Sequence, residues 1–179
     1  MRAFIALDLP YEIKNFITVQ IFDLKKHFDY HDIKWVSTHN YHLTFRFFEN
    51  IDQDYAKNNF QKLKEEFRDF KEFKISILEE LGFFYNQSRI KVIFLKVEPL
   101  DVLYEIYKKI SKIFGEDRFS PHITIGRVKK VISPSSQDIL KKYRIEPVSF
   151  VAKEITLFKS LLNPLGSVYH KIDSIFIGS

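Results

Sequence analysis

The chain of 179 residues contains no cysteine and only five glycines. The missing thiols exclude disulfide bonds, cysteine nucleophiles and every zinc site that is built on sulfur ligands. So few glycines also leave no segment that could form a glycine-rich phosphate loop. Several enzyme classes are thereby excluded, and we expect no cofactor.

Long apolar segments are missing as well. No apolar run approaches the roughly 18 residues that a membrane span needs. The first ten residues, MRAFIALDLP, combine one arginine and a short apolar run with an aspartate and a proline. They lack the h-region and the cleavage site of a signal peptide. We therefore expect no membrane association and a cytoplasmic location.

Positive charge is in excess, with a formal net charge of +5 and a pI near 9.2. Clustered lysines and arginines gain affinity for polyanions by releasing phosphate counterions, so a nucleic acid partner is favoured. Eight lysines form four adjacent pairs at presumed helix ends and turns, where a solvated surface is the simpler explanation. The 19 phenylalanines and nine tyrosines mostly recur with alternating or helical spacing, which is typical of core residues.

Hydrophobic periodicity divides the chain into strands and helices with no low-complexity linker. It predicts a strand over residues 2–8 and a helix from Pro10 to about His27. A final antiparallel pair is predicted in FVAKEITLFKS and VYHKIDSIFIG, joined by LLNPLG. The intervening strands are predicted in DIKWV, NYHLTFRFFEN, EFKISILEELGFF, RIKVIFLKVE and SPHITIGRV, and the helices over residues 52–69, 99–114 and in SPSSQDILKKY. This order indicates the α+β class with mainly antiparallel sheets, and we expect one domain of two packed lobes over residues 1–179.

One short phrase occurs twice in the chain. YHLTF includes His42 and Thr44, and PHITI includes His122 and Thr124. Because side chains alternate along a strand, each histidine shares a face with its threonine, while the apolar residues between them point into a core. A single H-x-T sequence is weak evidence, but two copies in such similar settings predict a paired function.

Two imidazoles, each beside a hydroxyl, suit the transfer or hydrolysis of a phosphodiester. The nucleophile must lose a proton while the leaving oxygen gains one, and imidazoles with an ordinary pKa of about 6.5 can serve both ends at neutral pH. The threonine hydroxyls can donate hydrogen bonds to the non-bridging phosphate oxygens. Each motif offers one metal ligand per strand, with no carboxylate or cysteine at ligand spacing beside it, so we expect no metal.

Several segments, taken in order, resemble the two-histidine phosphoesterases known as 2′-5′ RNA ligase-like proteins or RNA 2′,3′-cyclic phosphodiesterases. These segments are MRAFIALDLP, KWV followed by HLTF, LGFF with VIFLKVE, RFSPHITIGRVKK and EITLFKS. The resemblance covers nearly the whole chain. It implies a bilobal α+β fold of two sheets related by pseudo-twofold symmetry, with helices on the outer faces. Each lobe is then expected to supply one H-x-T motif on a central strand, facing the other across a shared cleft.

The resemblance also implies a reaction and roles for the motif residues. The family's usual reaction opens an RNA 2′,3′-cyclic phosphate to leave a 2′-phosphate, and some members join tRNA halves reversibly through 2′-5′ bonds. His42 is implied to be the proton donor to the departing 3′ oxygen, and His122 the base that activates water. Thr44 and Thr124 take the phosphate-binding roles. The motifs themselves are too symmetric to distinguish the acid from the base.

Two arginines are candidate substrate-binding residues. Arg127 matches the arginine that follows the second motif in the family. Regular alternation puts it on the face opposite His122, unless a bulge or the strand end near Gly126 re-aims it. Arg46 has the same parity as His42, at a position where the family commonly has a basic residue. After HLTFRF the chain reads FE where the family usually has a Leu-Gly pair, which leaves the rim of that half undetermined.

The leading hypothesis is a monomeric, metal-independent phosphodiesterase that acts on RNA with 2′,3′-cyclic phosphate ends, tRNA halves among them. A small cyclic phosphate such as ADP-ribose 1″,2″-cyclic phosphate is an alternative substrate, because only the rim of the cleft would decide between the two. A non-catalytic RNA-binding module of the same fold is an alternative of a different class. A pure binder would have no need of a matched acid and base.

Overall fold

The computed structural model describes residues 1–178, which form nine β-strands and five α-helices. The strands are β1 Ala3–Asp8, β2 Ile33–Trp35, β3 His42–Phe48, β4 Phe73–Asn86, β5 Arg89–Glu98, β6 Ile123–Val128, β7 Val148–Ala152, β8 Glu154–Asn163 and β9 Gly166–Phe176. The helices are α1 Tyr11–Gln20, α2 Phe22–Lys25, α3 Gln53–Glu66, α4 Leu100–Phe114 and α5 Pro134–Lys142. Among the helices of this described range, none combines the length and the apolar composition that a bilayer span requires.

Two antiparallel sheets form the framework. The strand order is β3-β1-β8-β9 in the first sheet and β2-β6-β5-β4-β7 in the second. All adjacent strands run antiparallel. The predicted α+β class is therefore confirmed. Buried residues of both sheets, such as Ile5, Leu43, Ile93 and Ile125, belong to one continuous hydrophobic core.

The two sheets repeat one arrangement of strand and helix. β1 leads through α1 to its antiparallel neighbour β3, and β5 leads through α4 to its antiparallel neighbour β6. Further into the sheets, β8 lies beside β1 as β4 lies beside β5. Each repeat ends in a strand with an H-x-T motif at its start. The two-lobed, pseudo-twofold arrangement that the family resemblance implied is confirmed.

The helices cover the sheets with the apolar faces that their spacing predicts. α1 buries Ile13 and Ile17, and α4 buries Leu103, Ile106 and Ile110. Residues three or four positions apart lie on one side of a helix, so each set forms a single stripe against a sheet. This packing joins the helices to the hydrophobic core that the two sheets share.

The lobes do not coincide with the halves of the chain. β2 comes from the N-terminal half but pairs with β6 in the second sheet, whereas β8 and β9 from the C-terminal end complete the first. The single strand predicted in FVAKEITLFKS was therefore wrong, because the chain changes sheets at Lys153. The buried positions Phe150 and Ala152 give way there to Ile155 and Leu157. This slip of one position in the alternation is the sequence signal for the change.

Two further boundaries differ from their predictions. The helix predicted up to about residue 27 breaks at the buried Ile21, whose φ and ψ are −99° and 5°. The apolar stripe continues across the break, so periodicity did not reveal it. β8 extends to Asn163, so the turn is shorter than the predicted LLNPLG. The Asn163 side chain accepts a 2.8 Å hydrogen bond from the Leu165 N–H, and Gly166 has a φ of 127° that favours glycine.

Candidate active site

The two H-x-T motifs meet across the gap between the sheets. β3 forms one edge of the first sheet and contacts β6 of the second. His42, Thr44, His122 and Thr124 together line a cavity of about 230 Å³. This geometry agrees with the expected shared cleft. The expectation of a central strand was wrong for β3, which is an edge strand of its own sheet.

Each imidazole is oriented by the backbone two residues before it. Nδ1 of His42 lies 2.6 Å from the carbonyl oxygen of Asn40, and Nδ1 of His122 lies 2.6 Å from the carbonyl oxygen of Ser120. A carbonyl oxygen can only accept a hydrogen bond, so Nδ1 holds the proton in both rings and donates it. Nε2 of each ring is therefore the nitrogen available to a ligand in the cavity, as proton transfer requires.

Aromatic side chains enclose the imidazole of His42. Its ring centroid lies 4.7 Å from that of Phe4 and 5.3 Å from that of Tyr169, which meets it edge-on. Phe4 is buried and also stacks on Phe158 with a centroid distance of 5.0 Å. These apolar walls exclude water from one side of the imidazole and thereby favour its neutral form.

The second imidazole has an equivalent enclosure, built from β4 and β5. The ring of His122 lies 4.8 Å from Phe84 and 5.2 Å from Phe94, measured between centroids. Gly82 is the register partner of Phe94 in the sheet. A Cβ at Gly82 would lie only 2.1 Å from the Phe94 ring. The glycine therefore provides the space that lets Phe94 pack over β4 and reach the histidine.

The pKa of His42 is lowered from 6.5 to about 4, and burial is the main cause. The hydrogen bond to the Asn40 carbonyl and the charge of Asp8 act in the opposite direction. The charges of Lys14 and His122 lower the pKa further. His42 is thus neutral at physiological pH in the free protein, and a bound anion is needed to bring a proton to it.

The pKa of His122 is also lowered by burial, although the hydrogen bond to the Ser120 carbonyl opposes this. The guanidinium of Arg127 lowers the same pKa, because it repels the imidazolium. The two histidines therefore share a neutral resting state. They differ in their charged neighbours, since a carboxylate favours the protonated form of His42 and a guanidinium disfavours that of His122.

A partly buried ion pair stands beside His42. Asp8 lies opposite His42 in the register of β1 and β3, and both residues line a cavity of about 270 Å³. Nζ of Lys14 lies 2.7 Å from Oδ1 of Asp8 and donates a 2.9 Å hydrogen bond to the carbonyl of His39. The sequence patterns did not predict this pair. Alternation in RAFIALDL puts Asp8 on the face of β1 that carries Phe4 and Ala6, but it does not tell which strand pairs with it.

A β-bulge in β6 brings Arg127 into the cavity. The register with β5 shifts between Thr124 and Gly126, so Ile125 is an extra residue. An extra residue inverts the alternation that follows it. Arg127 consequently lines the same cavity as His122. This is the re-aiming that the sequence left open.

A matching bulge in β3 takes Arg46 away from the cavity. The register with β1 shifts so that Phe45 is the extra residue, and Arg46 lies opposite the buried Ile5. Its Nη1 lies 2.6 Å from Oδ2 of Asp117. Arg46 does not line the cavity. The prediction that it shares a face with His42 was wrong, because regular alternation does not continue through a bulge.

The remaining walls come from segments that are distant in sequence. Trp35 lines one side of the cavity, and Leu165 and Tyr169 from the β8–β9 hairpin line another. The Asn40 side chain donates a 2.9 Å hydrogen bond to the carbonyl of Ser167, which ties the hairpin to the segment just before β3. None of these residues was predicted from the sequence to belong to the site. No periodicity relates positions so far apart, so the sequence held no signal for them.

A family model spans both motifs and the strands that position them. The model of the 2′-5′ RNA ligase superfamily matches residues 11–163. The chain belongs to the 2′-5′ RNA ligase superfamily. The resemblance inferred from the sequence segments is thereby confirmed.

Related proteins match along nearly the full chain. The RNA 2′,3′-cyclic phosphodiesterase of Methanocaldococcus jannaschii is 33% identical over 96% of this chain and 98% of that protein. The RNA 2′,3′-cyclic phosphodiesterase of Thermotoga maritima is 29% identical over 94% of this chain and 91% of that protein. The crystal structure of E. coli LigT complexed with phosphate has a TM-score of 0.74 at 23% identity, covering 99% of this chain and 98% of that one. This structural likeness shows that the two chains share one fold over almost their full lengths.

Proposed function

We propose that the protein hydrolyses the 2′,3′-cyclic phosphate at RNA ends to a 2′-phosphate without a metal ion. The observation that supports this most directly is the pair of imidazoles with Nδ1 bound to the backbone and Nε2 left for one shared cavity. The names of the relatives point to the same substrate. Within residues 1–178, no three side chains of metal-ligating type converge.

The reaction requires one proton to be removed and another to be delivered. Water attacks the phosphorus and gives a proton to Nε2 of His122. The bond between phosphorus and the 3′ oxygen breaks, and that oxygen takes a proton from Nε2 of His42. The products are a 2′-phosphate and a free 3′-hydroxyl. One proton has moved from His42 to His122, and exchange with solvent restores the starting state.

The charges beside the two rings support this division of roles. The carboxylate of Asp8 raises the proton affinity of His42, whereas Arg127 lowers that of His122. A bound phosphodiester adds a negative charge and raises the pKa of a nearby imidazole. His42 has the carboxylate of Asp8 beside it, so Asp8 and a bound phosphodiester act together against the burial and the charge of Lys14 that keep this ring neutral in the free protein, as the role of acid requires.

The phosphate is assigned to Thr44, Thr124 and Arg127. The two hydroxyls lie on the cavity face of their strands and can donate hydrogen bonds to the non-bridging oxygens. The exposed guanidinium of Arg127 offers a charge-assisted hydrogen bond, which is roughly twice as strong as a neutral one. Together these groups can hold the phosphorus between the two Nε2 atoms.

The decisive experiment incubates the protein with an oligonucleotide that ends in a 2′,3′-cyclic phosphate, in the presence of EDTA, and identifies the terminal phosphate. We expect a 2′-phosphate from the wild type and a loss of about 10²- to 10⁴-fold in both His42→Ala and His122→Ala. Activity that is lost on chelation and restored by Mg²⁺ or Mn²⁺ would refute the metal-independent mechanism. Binding of the RNA without conversion would favour a non-catalytic RNA-binding module.

A second substrate separates the acid from the base. When sulfur replaces the leaving 3′ oxygen, the departing group needs little protonation. His42→Ala should then regain part of its activity, and His122→Ala should not. Rescue of the His122 variant instead would reverse the assignment.

Several finer expectations belong to the same proposal. We predict that tRNA halves with cyclic ends are substrates and that they can be joined reversibly through 2′-5′ bonds, which a gel assay would detect. We predict that the protein is a monomer, which light scattering would test. We also predict a cytoplasmic location, which cell fractionation would test. ADP-ribose 1″,2″-cyclic phosphate is the competing substrate. If kcat/KM is higher for this compound than for RNA, the preferred substrate is the small cyclic phosphate and not RNA.

A further inference from the structure

A third cavity adjoins the proposed site and has a strongly cationic lining. It has a volume of about 410 Å³ and shares His42, Thr44 and Arg127 with the cavity between the motifs. It extends the cleft along β3 to Phe47 and Arg2. None of the described residues that line it is an aspartate or a glutamate. The cleft therefore continues beyond the reacting position into a region suited to an anion.

Arg2 stands at the place that pseudo-symmetry equates with Arg127. Arg127 is the fifth residue after His122, and Phe47 is the fifth residue after His42. Both follow a bulge, so both point to the cleft. The guanidinium of Arg2 lies over the ring of Phe47, 4.7 Å from its centroid. The first lobe thus has a guanidinium at the position equivalent to that of Arg127 in the second lobe. In the first lobe it comes from Arg2, the residue before β1, and not from the strand that carries the motif.

Neither guanidinium has a carboxylate partner within residues 1–178. The arginine ion pairs of this range are those of Arg46, Arg68 and Arg144. Both Arg2 and Arg127 lie near the hydroxyl of Tyr169 and lower its pKa, against a larger opposite effect of burial. Two arginines that line one cavity without a carboxylate partner favour the binding of a ligand with more than one phosphate group.

We infer that Arg2 binds the phosphodiester on the 5′ side of the terminal nucleotide, so that the protein selects RNA chains over mononucleotides. This inference rests on the proposed function. The reacting phosphate has two non-bridging oxygens, and Thr44, Thr124 and Arg127 already suffice for them. Arg2 is exposed and lines the third cavity but not the cavity that holds both motifs. The next phosphate along the RNA backbone is the anion left for it.

The test compares two substrates that differ in this one phosphate. Adenosine 2′,3′-cyclic phosphate lacks a 5′ phosphodiester, and the dinucleotide ApA with a 2′,3′-cyclic end has one. Arg2→Gln should lower kcat/KM for the dinucleotide about tenfold, as expected for a lost charge-assisted hydrogen bond, and change it by less than about twofold for the mononucleotide. The slope of log kcat/KM against log salt for the dinucleotide should also become less steep by about 0.7.

Two further variants make the comparison specific. Arg2→Lys keeps the charge and should recover part of the loss on the dinucleotide. Arg68→Gln removes an exposed arginine at the end of α3 and should affect neither substrate. An equal loss on both substrates, or no loss on the dinucleotide, would overturn the inference while leaving the proposed function intact. If the wild type hydrolysed neither substrate, the proposed function would fall, and the inference with it.

Discussion

The burial of His42 predicts a loss of stability at mildly acid pH. Its pKa is about 4 in the folded protein, against 6.5 for an exposed imidazole. Since the unfolded chain binds the proton more tightly, the contribution of the neutral ring is complete above a pH of roughly 6.5 and is lost as the pH falls towards 4. Between pH 7 and pH 5 this linkage lowers the free energy of unfolding by about 2 kcal/mol. For a chain of 179 residues, that corresponds to a decrease in Tm of about 4–8 °C.

The variant His42→Phe removes the titrating group but keeps an aromatic ring beside Phe4 and Tyr169. Denaturant unfolding at pH 7 and pH 5 should show that the wild type loses about 2 kcal/mol more than this variant. The comparison uses the change with pH, so a constant cost of the substitution does not affect it. His170→Phe, at an exposed position, controls for the loss of a surface imidazole. Equal losses in the wild type and His42→Phe would refute the reasoning.

Three further predictions concern residues around the cleft. Gly82→Ala should displace Phe94 and lower kcat by about tenfold or more in steady-state assays, and an unchanged kcat would contradict this role of the glycine. Arg46→Gln should lower the free energy of unfolding by about 1 kcal/mol and leave kcat/KM within about twofold of wild type. A large loss of activity would instead indicate that Arg46 contributes to substrate binding. Asp8→Asn should lower the pKa of His42 and move its limb in the pH profile of kcat to lower pH, and an unmoved limb would count against the carboxylate.

Local geometry was the part of the site that the sequence predicted well. The alternation of a strand placed His42 and Thr44 on one face, and the structure brings both into the cavity. The same rule failed at Arg46, because the extra residue at Phe45 inverts the face of everything that follows. HLTFRF is compatible with a regular strand and with a bulged one. Only its pairing with β1 decides between them.

The composition of the cleft depended on assembly and could not be predicted. The hydrogen bond from Asn40 to Ser167 spans 127 positions, and Asp8 meets His42 through strand pairing. Periodicity describes one element at a time, whereas these contacts arise from the packing of elements on one another. The change of sheet at Lys153 could be predicted in part. It left a slip in the alternation that marks a break without revealing where each strand goes.

The groups that orient the two imidazoles are main-chain carbonyls. In a catalytic triad this task falls to a carboxylate side chain, which a single substitution can remove. The carbonyls of Asn40 and Ser120 are present whatever side chains these positions bear. The tautomer of each histidine is therefore fixed by the path of the backbone. Substitution of Ser120 leaves its carbonyl in place while that path is kept, whereas the Asn40 side chain also holds its own segment to Ser167. A designer who transplants the pair to another scaffold has to copy two bends of backbone rather than a pair of carboxylates.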